Sequence, residues 1–93
     1  MSDTKTEKYI EHWNVIEKIE ILNEVGAGII AKFDRQLIKR NIDIEDRNNP
    51  IIILYWQTVR LKNTLIKMNT ILELNNAQAQ LNFVNQYVKK LSE

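Results

Sequence analysis

Cysteine is absent from this chain, and turn-forming residues are scarce: 93 residues contain one proline and two glycines. Without cysteine there is neither a disulfide framework nor a thiolate metal site, which argues against a secreted, stapled scaffold and for an intracellular setting. So little proline and glycine disfavours a sandwich or barrel, which needs a turn signal every ~8–12 residues. Few, long elements remain. No run approaches the about 18 apolar residues of a membrane span, and the N-terminal Met-Ser-Asp-Thr-Lys-Thr-Glu-Lys is too polar for a leader or anchor. A cytoplasmic protein without membrane contact is expected.

Catalytic chemistry is equally thin. His12 is the one histidine, and its helical neighbours Lys8 and Ile16 offer no second metal ligand. Glu7–Glu11 and Glu20–Glu24 place carboxylates four apart on helical strips, where they stay solvated. Asp43, Glu45 and Asp46 lack the turn glycine and the terminal glutamate of a calcium loop. Gly26-Ala27-Gly28 has no third glycine and no preceding strand, both of which a dinucleotide fingerprint requires. No catalytic residue, cofactor or metal is expected, and the chain is expected not to be an enzyme.

What the sequence does have is helical periodicity. Thr4-Lys5-Thr6-Glu7 fits a capping box, in which a threonine hydroxyl and a glutamate satisfy free backbone N–H groups reciprocally. Tyr9, Trp13, Ile16, Ile19, Leu22, Ile30, Phe33 and Leu37 then trace a rotating apolar face. A helix from about 5 to 41 is expected, with a kink at 25–28, because each mid-helix glycine costs about 1 kcal/mol relative to alanine. Residues 42–49 form a charged connection.

Behind it, "NNPIIILYW" opens the next helix: Asn49 is a favoured cap and Pro50 suits the first helical position. Leu54, Thr58, Leu61, Leu65, Met68 and Leu72 repeat at fours and threes, so this helix is expected over about 50–74. A second seam, Leu74, Ala77, Leu81, Val84, Val88 and Leu91, is out of register with the first. Asn75–Asn76 is the expected break, because asparagine tolerates the left-handed conformation that closes helices, and a last helix is expected over about 77–91.

The fold expected is all-α and a single domain, 1–93: an antiparallel hairpin of two long kinked helices, or the same chain as a three- or four-helix bundle, completed by self-association. The second helix carries two apolar faces, since Ile51, Ile52, Tyr55, Val59 and Ile66 adjoin the leucine seam. Two faces want two neighbours, and those five residues are the expected protein interface, for a second copy or another helical protein. The function expected is a non-catalytic interaction module: an adaptor, an inhibitor or a small subunit of a larger assembly.

The alternative is a small nucleic-acid-binding or phage-type regulatory protein. Trp56, Arg60, Asn63 and Lys67 fall on one helical strip, with Arg35 and Lys39 extending the basic surface, and an indole between cations suits bases and phosphates. A net charge of +1 is weak support for it. The distribution is more telling: residues 1–24 hold six acids against three lysines, and residues 25–70 hold eight bases against four acids. Acidic and basic helices that lie beside each other would use this asymmetry.

Overall fold

In a computed structural model, described over residues 3–93 and for side chains from Ile10 onward, the chain is an up-down-up bundle of three helices. Helix α1 spans Asp3–Lys39, α2 Pro50–Thr64 and α3 Ile71–Leu91, with a 3₁₀ turn at Leu65–Lys67. There are no strands among the described residues. The molecule is elongated, 61 × 23 × 15 Å. Its length is set by α1, since 37 helical residues span about 55 Å.

The core is one apolar cluster along the inner side of α1. Val15, Leu22 and Ile29 recur at intervals of seven and are buried, followed by Phe33 and Leu37. Ile52, Tyr55 and Leu65 of the α2 arm face them, and Leu74, Ala77, Leu81, Val84 and Val88 complete the cluster from α3. Phe33 joins all three helices: its ring meets Tyr55 edge-on at 5.9 Å and lies 6.5 Å from Tyr87. Polar contacts tie α1 to α3 at the far end. Lys32 donates to Asn85 at 3.0 Å, Gln36 to Ser92 at 3.1 Å, and the Arg40 guanidinium to the Leu91 carbonyl at 2.9 Å. That last contact sets a cation against the carbonyl end of α3, where positive charge is favoured.

The seam expected on α1 needs one correction. Trp13 is not part of the apolar inner face; it is 68% exposed, and Val15 takes the inward position. The strict seven-residue interval of Val15, Leu22 and Ile29 is the signal that separates them. The Thr4–Glu7 capping box and Tyr9 involve side chains outside the described residues.

Helix α1 is unbroken through the glycines, and neither adopts a positive φ. Gly26 is explained by a close approach: a Cβ there would sit 3.3 Å from Cγ of Lys62, whose aliphatic stem crosses α1 at this point. Around Gly28 there is open space, and nothing in the structure explains that glycine.

Helix α1 ends where the periodicity fades, by a left-handed residue. Asn41 has φ 55°, the Ile42 N–H donates to the Leu37 carbonyl at 2.9 Å, and the Asn41 N–H donates to Ile38 at 3.1 Å. This is the Schellman arrangement, with Ile42 packed against the core as its apolar partner. In the connection, Asp43 and Asp46 accept from backbone N–H groups two residues on, at 3.0 and 3.3 Å. They are turn formers. Helix α2 starts as expected: Asn49 accepts from the Ile51 N–H at 2.9 Å and Pro50 follows.

The second chain reversal differs from the expectation. Helix α2 ends at Thr64, the 3₁₀ turn carries it to Lys67, and the chain is extended at Met68, not helical to about 74. Helix α3 starts at Ile71, well before 77, and Asn75–Asn76 lies inside it. The cause is a capping box at Thr70-Ile71-Leu72-Glu73: the Thr70 hydroxyl accepts from the Glu73 N–H at 3.1 Å and donates to the Glu73 carboxylate at 3.0 Å. Leu72 fitted the α2 seam by spacing alone and is 71% exposed, whereas Leu74 is fully buried.

The two glycines make a test. Gly28→Ala is expected to raise the free energy of unfolding by about 0.5–1 kcal/mol, since it removes backbone entropy from the unfolded chain and meets no neighbour. Gly26→Ala is expected to gain less, because the Lys62 stem must first shift. Urea unfolding of both variants against the parent chain checks the order.

Candidate protein-interaction surface

Helix α2 presents two very different sides. Of the five residues expected at an interface, Ile52 and Tyr55 are buried in the chain's own core and Ile51 and Val59 are half-buried against it. Ile66 alone stands out, 78% exposed. What covers most of that face is therefore α1. This happens because the antiparallel α1–α2 pairing brings Phe33 onto Tyr55. Burial first, then the negative charge of Asp34, holds the Tyr55 phenol's pKa above its ordinary value of 10.0.

The basic and aromatic strip is brought together. Trp56, Arg60, Asn63 and Lys67 are all exposed, and they line one open groove of about 710 Å³ with Arg47 and Ile53. Trp56, 45% exposed, is held by an edge-on contact with Tyr55 at 5.1 Å. The residues lining the groove include three cations and no acid. Arg35 and Lys39 are exposed on α1 and do not line it.

A second surface was not singled out by sequence reasoning. On the outward side of α1, Ile10, Trp13 and Ile21 are exposed beside Glu17, Glu20 and Glu24. His12 and Glu11 sit near the turn at Asn69–Ile71, which marks the end of the bundle. Helix α1 runs on past that level. The outward side of α1 thus carries exposed apolar groups, Ile10, Trp13 and Ile21. The clue was in the spacing: if Val15 and Leu22 point inward, residues 10, 13, 17 and 21 lie on the opposite side of the helix.

Neither surface assembles chemistry. No group of three or more metal-binding side chains occurs among the described residues, and no buried side-chain donor or acceptor among them lacks a partner. None of their helices is long and apolar enough to cross a membrane.

A family model, that of the bacterial epsilon antitoxin, matches residues 11–91 and so takes in α1 from Glu11 onward with α2 and α3. The chain belongs to the bacterial epsilon antitoxin family. No curated protein and no solved structure matches it. For an antitoxin, exposed apolar helix faces without a reactive group make sense: its action is a non-catalytic, inhibitory contact with another protein.

The Tyr55 environment has a pH signature. Its folded pKa is raised, so the stability it contributes is whole below the unfolded value of 10.0 and is lost as pH rises from there through the folded value. Tyr55→Phe is expected to be less sensitive than the parent chain to alkaline pH and to show no difference in pH dependence near neutrality. Urea midpoints measured from about pH 7 to about pH 11 check this.

Proposed function

We propose that this antitoxin acts in the cytoplasm by binding a toxin protein through the outward, N-terminal face of α1, with Ile10 and Trp13 as the apolar anchors. The observation that supports this is the 68% exposure of Trp13, on a helix that outruns the bundle built against it. A large exposed indole on a rigid helix is the kind of group that dominates protein interfaces. Neutralisation then needs no chemistry from the antitoxin; the bound helix obstructs the toxin sterically.

The excess of apolar helix surface also supports association with a further helical chain, a second copy included. The groove on α2 supports a second reading, nucleic-acid contact through Trp56, Arg60 and Lys67, because these cations share one groove. The family relation favours a protein partner.

Affinity capture from the native host is expected to retain one protein with the wild-type chain, and that protein to be inhibited by it. Trp13→Ala is expected to weaken this retention by at least about tenfold while helical content is unchanged, as for an interface hot spot. Undiminished retention by Trp13→Ala would place the toxin contact elsewhere, and recovery of nucleic acid alone would favour the second reading.

A further inference from the structure

The cations of the α2 groove are spread along it, not gathered at one point. Arg47 precedes the helix, Arg60 stands on its third turn and Lys67 closes the 3₁₀ turn behind it, and all three are exposed. From Pro50 to Lys67 the arm is about 25 Å long, with Arg60 and Lys67 separated by about 12 Å along its axis. Charges spread this far do not share one phosphate or one carboxylate. They suit a polyanion, whose charges repeat along a chain, and with no acid among the lining residues the field of the groove has one sign.

The aromatic group narrows the class. An edge-on contact with Tyr55 at 5.1 Å holds the Trp56 indole in place while 45% of the residue stays open to solvent. Ile53 and Val59 line the same groove. An acidic protein segment matches the cations alone, whereas a nucleobase matches the indole and its apolar neighbours as well, by stacking. Stacking on a side chain requires a base whose face is free. In a duplex each base is stacked on the next, so the strand that fits is single. At about 3.4 Å per stacked nucleotide, the length of the arm accommodates about seven.

The uncharged lining favours ribose over deoxyribose. Gln57 and Asn63 bring exposed amides to the groove, and the Thr64 hydroxyl, which donates to the Leu61 carbonyl at 2.8 Å, keeps lone pairs with which to accept. A 2′-hydroxyl is both donor and acceptor and bonds to either kind of group.

We propose that the α2 groove binds single-stranded RNA, with a base stacked on Trp56 and backbone phosphates paired with Arg47, Arg60 and Lys67. This deepens the nucleic-acid reading of the groove and rests on it; it does not depend on the toxin contact. Recognition through phosphates and a stacked base tolerates many sequences.

Fluorescence titration tests it. The chain has two tryptophans, so Trp13→Phe leaves Trp56 as the single indole. In this variant a single-stranded oligouridylate of ~12 nucleotides is expected to quench the fluorescence saturably at ~50 mM salt. Three phosphate contacts give log K a slope of about −2 against log salt. With labelled oligouridylate, Arg60→Ala/Lys67→Ala is expected to weaken binding at least about tenfold and to make the slope shallower by about 1.4. Trp56→Ala is expected to weaken it at least about fivefold with the slope unchanged, and Trp56→Phe, which retains a ring, to recover part of the loss. The substituted positions are exposed, and helical content by circular dichroism confirms that each variant folds.

Duplex RNA bound as tightly as the single strand overturns this inference and leaves the nucleic-acid reading standing, whereas no binding of either at low salt ends both. Equal affinity for the matching oligodeoxyuridylate overturns the assignment to RNA. Polyglutamate that displaces the oligouridylate at equal charge concentration would assign the groove to an acidic protein segment and overturn it too.

Discussion

Phe33 is where the three helices meet, and the bundle depends on that contact. Its ring, with no solvent exposure, takes the edge-on face of Tyr55 from α2 and lies near Tyr87 from α3. A core of this size has little redundancy, because a chain of 93 residues buries only about 60–65% of its unfolded surface. Around Phe33 the inward residues of α1 form a single file, Val15, Leu22, Ile29 and Leu37. One long helix thus serves as the wall against which two shorter arms are packed. Its opposite side, with Ile10, Trp13 and Ile21, is left exposed.

The second determinant is local. Each chain reversal is closed by a residue whose side chain or backbone takes over free hydrogen-bonding groups: Asn41 at the end of α1, Asn49 at the start of α2, and Thr70 with Glu73 at the start of α3. These caps set the lengths of the helices, and the lengths set what projects. Because α2 and α3 are joined level with Glu11 and His12, α1 emerges beyond the joint. A cap is typically worth about 1 kcal/mol. Here its larger effect is geometric, since it fixes where α3 begins along α1.

Much of this was legible. The all-α architecture followed from periodicity and from the shortage of turn residues, whereas the residues left an adaptor, an inhibitor and a small subunit equally open, and the family relation decides for a non-catalytic inhibitor. The start of α2 was readable from Asn49-Pro50 and the α3 seam from Leu74 to Val88, because both are patterns of one short segment. The α2–α3 joint was misplaced because Leu72 extends the leucine spacing by coincidence, while the decisive signal, a threonine three residues before a glutamate, sits inside that pattern. Trp13 was misassigned for a related reason: an indole fits an apolar face by spacing, and only the partner helices decide which of two adjacent strips is covered.

By itself the sequence determined the secondary structure class, the capping chemistry and the absence of catalytic machinery, since each depends on residues within a few positions of one another. The tertiary structure alone decided which apolar residues are core and which are surface. Ile52 and Tyr55 became interior because α1 lies on them, and Ile10 and Trp13 stayed exterior on the side of α1 that faces away from the core. Burial is a property of pairs of surfaces distant in sequence. Periodicity shows that a helix has a face to cover, and only packing shows whether the chain covers it.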